Sequence, residues 1–350
     1  MPETPAGARP STAPQPDGVA WPTDAWPEGE ATDAVDALVD RAFRDPELAE
    51  SYAVVVVQHG RVVAERYGGA LPSFTHAPTP VTASTPLLSW SMAKSVLHAA
   101  VGILVGQGRL DLDAPARIAA WSEPGDPRRA ITIRQLLQMR DGLAWTEDYV
   151  DDSISDTIEM LFGSGKGDVA AFAAARELAH EPGTTFNYSS GTSNLIAAVV
   201  GDVVGRGDDT QRFLADSLFG PLGMRDARVT CDDVGTFIGS SYVYCSARSF
   251  AKFATLYLRG GEWDGATLLD AAWVADAQVP VSEDTTVANT YYSHHWWLDA
   301  RGTFWASGYE GQRAVVCPAR DCVVVRLGHT PAARYPALRS WCDSMVAALD

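Results

Sequence analysis

Long hydrophobic runs are missing. No stretch of roughly 18 or more apolar residues occurs anywhere in the 350 residues, which excludes a transmembrane helix. Cysteine is scarce: Cys231, Cys245, Cys317, Cys322 and Cys342 are odd in number and form no C-x-x-C, so reduced thiols are expected rather than a disulfide framework. Positive charge is short too, with 27 Lys and Arg against 44 Asp and Glu. The net charge of −17 argues against nucleic acid or an anionic membrane as partner. The opening MPETPAGARPSTAPQPDG lacks a basic segment ahead of an apolar core, so it does not read as a secretory signal, and a cytoplasmic location is expected. Metal and phosphate motifs are absent. His294 and His295 are adjacent, which on a strand turns them to opposite faces, and LFGSGKGD has Met160 and Gly167 where a phosphate loop needs Gly and Ser or Thr. No cofactor is expected.

What is present has an order. Residues 1–28, rich in Pro, Ala, Thr and Gly, read as a loosely attached arm. TDAVDALVDRAFRDPE has helical spacing with Thr32 as N-cap, and YAVVVVQHGRVVAERYG reads as a hairpin turning at His59-Gly60. Helical patterns then dominate from about residue 110 to 290, and strand-like sequence returns in TFWASGYEG, RAVVCP and CVVVRLGH before a final helix. Strands at both ends imply one sheet built from both termini. The division expected is a sheet domain from residues 29–110 and 295–350, with a helical insertion over 111–294.

Within LLSWSMAKSVLHAAVGIL a single lysine, Lys94, interrupts a helix that otherwise reads as buried. A buried charge is costly unless it is paired or neutralised. Ser91, three residues earlier, faces the same way on a helix. A serine hydroxyl needs a base to become a nucleophile, and a lysine becomes that base when burial lowers its pKa. Ser-x-x-Lys alone is weak evidence, because Ser249-Phe250-Ala251-Lys252 matches it equally well. That second copy reads as structural, with Ser249 an N-cap and Lys252 snorkelling from an amphipathic helix. Tyr188, at the mouth of another helix in EPGTTFNYSSG, reads either as a proton relay or as a core aromatic. Gly308, between two strand-like runs, would let backbone approach a substrate, or merely turn a hairpin. His98, one turn past Lys94, reads as a core histidine.

Taken together, Ser91-Met92-Ala93-Lys94, Tyr188-Ser189-Ser190 and Ala306-Ser307-Gly308 resemble, in order and separation, the three motifs of the serine β-lactamase and penicillin-binding-protein superfamily. GQGRLDLDAPA, ITIRQLLQMRDGLAWTEDY and SARSFAKFATLYLRGGEWDGATLLDAAWVADA are similar to its class C-like branch, which includes family VIII esterases and 6-aminohexanoate-dimer hydrolases. The likeness runs from about residue 50 to about 330. It implies an α+β fold, a sheet flanked by helices with a mostly helical inserted domain. It also implies a serine hydrolase without a cofactor. Ser91 would be the acylated nucleophile, Lys94 its base and Tyr188 the relay to the leaving group. The backbone N–H groups of Ser91 and Tyr309 would form the oxyanion hole.

Two departures shape the substrate expectation. Ser190 stands where the second motif ordinarily ends in Asn, and Ala306 stands where the third opens with Lys, Arg or His. Without that cation a substrate carboxylate loses a charge-assisted partner, which disfavours β-lactams and peptidoglycan stems. Small esters or linear amides are the expected substrates, with a β-lactamase or D,D-peptidase, or a non-catalytic binding protein keeping the fold, as alternatives. Tyr149 matches the tyrosine of a closing loop in the 6-aminohexanoate-dimer hydrolase branch. The acids around it, Glu147, Asp148, Asp151 and Asp152, read either as attraction for a cationic substrate or as a solvated loop.

Overall fold

The computed structural model describes residues 10–72, 75, 77–149 and 155–349. Its centre is an antiparallel sheet to which both ends of the chain contribute. In chain order the strands are β1 (Glu50–Gln58), β2 (Arg61–Tyr67), β3 (Ser282–Glu283), β4 (Tyr291–Tyr292), β5 (Trp297–Leu298), β6 (Phe304–Gly308), β7 (Gln312–Cys317) and β8 (Cys322–His329). They lie in the order β3-β4-β5-β6-β7-β8-β1-β2. The β1–β2 turn at His59-Gly60 has φ of 50° and 73°, the doubly left-handed geometry that matches strand twist in a two-residue hairpin.

The run of valines in β1 is explained by its two covered faces. Val54 and Val56 pack with α1 (Asp33–Arg44) and the C-terminal helix, whereas Ala53, Val55 and Val57 face the larger core. Thr32 caps α1, its hydroxyl accepting from Val35 N. Five further helices matter here: α2 (Ala93–Gly106), α3 (Asp156–Phe162), α4 (Ser190–Val204), α5 (Ala247–Leu258) and α6 (Tyr335–Ala348). Helix α2 is buried around its whole circumference from Ala93 to Leu104, between the sheet and α4.

Helix α5 lies on β1, β7 and β8, and β3, β4 and β5 extend the sheet beyond β6. The apolar side of α5 belongs to the larger core, which continues under the sheet.

Of the arm, residues 1–9 lie outside the described residues. From residue 10 onward it is fastened to the body. Ala13 N donates to Leu258 O at 2.9 Å, Trp26 Nε1 to Arg248 O at 3.3 Å, and Trp263 Nε1 to Thr23 Oγ1 at 2.9 Å, while the Trp21 and Trp263 rings lie 5.2 Å apart. The second Ser-x-x-Lys motif accounts for part of this attachment. Lys252 does not snorkel to solvent: it is buried, and its Nζ donates to Thr23 O at 3.1 Å and Gly223 O at 2.9 Å. Ser246, rather than Ser249, caps the helix, and Ser249 donates instead to Asp226. Proline-rich composition therefore marks a strap held by tryptophans and a lysine. Replacing buried Trp26 by alanine is expected to lower stability by about 3 kcal/mol, read as a shifted urea midpoint; a loose arm would give no shift.

Candidate active site

Ser91 stands on a 3₁₀ turn, Trp90–Met92, that leads into α2. The turn is anchored from behind. Ser89 N donates to Val243 O at 2.9 Å, and the Ser89 hydroxyl donates to Ser241 O at 3.1 Å. Trp90 has φ of 44°, a left-handed conformation that a bulky residue holds only when its surroundings impose it.

Lys94 reaches back from α2 and is 2% exposed. Its Nζ donates to Ser91 Oγ at 3.1 Å, Ser190 Oγ at 3.0 Å and Ser240 O at 3.1 Å, and lies 4.9 Å from the centre of the Tyr188 ring. All three ammonium donors thus have partners, yet none is a carboxylate. Burial pulls the Lys94 pKa from its ordinary 10.5 to about 8, with the charge of Glu147 acting in the opposite sense. The Tyr188 phenol is pushed up by burial and then by Glu147, while the Ser91 hydroxyl and the Arg313 charge pull it down.

The second motif is placed by α4. Ser189 caps the helix, accepting from Thr192 N at 2.9 Å, and Asn187 Nδ2 donates to Trp145 O at 3.1 Å, tying the motif to the GLAW segment. The third motif lies on β6, beside the Ser91 turn. Gly308 is required there for space: a Cβ would come 2.3 Å from Ser89 O. Ala306 and Gly308 are buried, and Ser307 pairs with Arg313 across to β7. Past Gly308, Gln312 Nε2 donates to Tyr309 O at 3.0 Å and Gly328 O at 2.7 Å, fixing the turn that carries the Tyr309 N–H. Glu310, φ 59°, accepts from Trp90 Nε1 at 3.3 Å. The two left-handed residues flanking the site are therefore bonded to each other.

Two groups of aromatic rings adjoin Ser91 and Lys94. Trp90 lies 5.6 Å from Tyr309 and 6.3 Å from Tyr242, while Tyr188, Tyr292 and Trp297 form a second cluster. Tyr149 lies over this site: its ring is 4.8 Å from Tyr309 and its hydroxyl donates to Glu147 Oε1 at 2.6 Å.

Glu147 is the residue that sequence reasoning misplaced. Neither a solvated loop nor an open attraction for a cationic substrate describes it. Its Oε1 accepts from Ser190 Oγ at 2.9 Å as well as from Tyr149, and its Oε2 accepts from Ser190 N at 2.6 Å, Thr157 Oγ1 at 2.8 Å and Trp145 Nε1 at 3.2 Å. Nothing in the sequence separates Glu147 from its acidic neighbours; its distinction comes from Ser190, which is brought to it by the fold. Asp148 accepts from Tyr149 N at 2.7 Å, and Asp151 and Asp152 lie outside the described residues. The histidines have framework roles. His98 Nδ1 meets Tyr257 OH at 2.7 Å; His294 Nε2 meets Gln138; His295 donates from Nδ1 to Leu137 O at 2.9 Å, leaving Nε2 to accept from Ser193.

A sheet built from both termini, a buried Ser-x-x-Lys helix at its centre and a tyrosine motif facing it define a β-lactamase-like fold. The Beta-lactamase family model matches residues 39–338, and the chain belongs to that family. Among its relatives, the 6-aminohexanoate-dimer hydrolase of Paenarthrobacter ureafaciens is 27% identical over 307 residues, which is 83% of this chain and 74% of the relative. Esterase EstB of Burkholderia gladioli is 32% identical over 206 residues, 55% of this chain and 50% of the relative. Two solved structures share the fold. A family VIII carboxylesterase superposes with a TM-score of 0.69 at 15% identity, covering 92% of this chain and 98% of its own. A penicillin-binding protein homologue from Caulobacter crescentus gives 0.69 at 18%, covering 92% of this chain and 99% of its own. Among the described residues, no helix is long and apolar enough to cross a membrane.

Proposed function

We propose that this chain is a serine hydrolase that cleaves small carboxylic esters and linear amides through an acyl-enzyme. The observation that carries this reading is the 3.1 Å contact between Ser91 Oγ and a lysine whose pKa lies near 8 in a buried setting. In the neutral form Lys94 accepts the Ser91 proton as Oγ attacks the carbonyl carbon. The resulting oxyanion is held by the N–H groups of Ser91 and Tyr309. Collapse expels the alkoxide or amine leaving group, which receives its proton by way of Tyr188 and Lys94 acting as a coupled pair. Water then attacks the acyl-enzyme by the same route in reverse, releasing the acid and restoring Ser91.

The two aromatic clusters suit apolar acyl or leaving groups, and the buried Ala306 offers no charge to a substrate carboxylate. The relatives named as an esterase and as a 6-aminohexanoate-dimer hydrolase support the same choice. The test is a fluorophosphonate probe followed by peptide mapping, together with turnover of short p-nitrophenyl esters, 6-aminohexanoate linear dimer and nitrocefin. The expected result is an adduct on Ser91 and ester turnover well above nitrocefin turnover; an unlabelled Ser91 or rapid nitrocefin hydrolysis overturns the reading.

A pH profile follows. Since Lys94 acts as a base only when neutral, kcat/KM for the ester is expected to rise through a limb centred near pH 8. A limb near pH 6.5 instead would point to a histidine, although burial holds His295 down to about 3 and His98 well below its ordinary value.

A further inference from the structure

Four groups form one continuous chain in this site: Ser91 Oγ, Lys94 Nζ, Ser190 Oγ and the Glu147 carboxylate, linked by contacts of 3.1, 3.0 and 2.9 Å. Resting on the serine-hydrolase reading, we propose that Glu147 is a positioning residue, the fixed negative end of this relay, which holds Lys94 as an ammonium between turnovers and aims the Ser190 and Tyr149 hydroxyls.

The geometry assigns direction to every bond. All of the Glu147 contacts come from N–H or O–H donors, so the group is an acceptor throughout, as a carboxylate is. The Ser190 hydroxyl has one proton. Because Lys94 donates to its oxygen, that proton is free to go to Glu147 Oε1, and a single atom links the lysine to the carboxylate. The second-motif serine thereby acts as a bridge, its short hydroxyl drawing the two charges close together without letting them touch. The same carboxylate oxygen takes the Tyr149 hydroxyl, so the loop residue over Tyr309 and the base under Ser91 share one anchor.

The groups facing Lys94 come from every surrounding element. Ser91 lies on its own turn and Ser190 on α4. The Ser240 carbonyl comes from the segment before α5, the Tyr188 ring from the loop before α4, and Glu147 and Tyr149 from the loop after GLAW. His295 lies behind and is neutral through burial. Arg313 acts on Tyr188 from β7. Among the described residues, Glu147 is thus the anion of the set, and its charge favours the protonated form of Lys94. Removing that charge lowers the proton affinity of Lys94 and moves the activity limb toward acid.

The experiment is the rate of fluorophosphonate labelling of Ser91, and kcat/KM for a p-nitrophenyl ester, measured from pH 5.5 to 10 in wild type, E147Q, E147D and S190A. In E147Q the limb is expected to move down by about one pH unit while the plateau falls about tenfold or more. E147D restores the charge at shorter reach, so its limb returns toward that of wild type while its plateau stays low. S190A, a smaller perturbation that keeps the test available should E147Q not fold, is expected to move the limb in the same direction by less. A purely structural carboxylate would lower the plateau and leave the limb in place. An unmoved limb in both E147Q and S190A overturns the proposal. Failure of the underlying hydrolase reading is distinguishable, because then wild type itself remains unlabelled at every pH.

Discussion

Replacing Lys94 by methionine is expected to cut kcat/KM by about 10⁴ while leaving the fold as stable as before, or more so. The activity loss follows from the proposed role of Lys94 as the base, 3.1 Å from Ser91 Oγ. The stability result follows from linkage. The pKa of Lys94 falls from 10.5 to about 8 on folding, so the folded state binds its proton more weakly than the unfolded chain. The penalty is fully present below about pH 8 and fades as the pH rises toward 10.5. Its size, on the order of 3 kcal/mol, is offset in part by leaving Ser240 O and Ser190 Oγ without their donor. Methionine fills a similar volume without charge, so the variant should melt at or above the wild-type temperature at pH 7, and the difference should shrink at pH 10. A variant that melts well below wild type at pH 7 would show that the lysine is retained for structure, and the catalytic assignment would lose its main physical support.

Gly308→Ala is expected to lower kcat by about 10²–10³ with a smaller effect on KM. The added Cβ would meet Ser89 O at 2.3 Å, and that carbonyl cannot retreat easily because Ser89 is bonded to Val243 and Ser241. Strand β6 must therefore move away from the Ser91 turn, taking the Tyr309 N–H with it. Overpacking of this kind also costs about 1–3 kcal/mol of stability. Steady-state kinetics on a p-nitrophenyl ester, beside a thermal melt, separate the two effects. If a folded Gly308→Ala protein keeps activity within a few-fold of wild type, the Tyr309 N–H is not an oxyanion donor.

Much of the fold could be read from local pattern. The β1–β2 hairpin follows from two β-branched runs around His59-Gly60, and a sheet joining both termini follows from where strand-like sequence occurs. The geometry also brings Ser91, Lys94, Tyr188 and Ser190 together. What could not be read depends on partners far away in sequence. Glu147 looks like any acid in an acidic loop until Ser190, 43 residues on, supplies its backbone and side-chain donors. Lys252 looks like a snorkelling lysine until carbonyls of Thr23 and Gly223 enclose it. The arm looks loose because Pro and Gly report backbone preference, whereas its attachment depends on Trp21, Trp26 and Trp263 finding surfaces that exist only in the folded body. The packing of α5 on the sheet is illegible for a related reason: its amphipathic pattern says that one face is buried, not which layer buries it.

The hydrogen bond between Trp90 and Glu310 has a consequence for how a substrate is met. Each residue is twisted into an unfavourable backbone state, one just before Ser91 and the other just after Tyr309, and each props up the other. The two N–H groups that would receive a developing negative oxygen thus belong to a single braced frame whose spacing is set when the chain folds. A carbonyl arriving there finds the gap already cut to size, and little of its binding energy need be spent on making it.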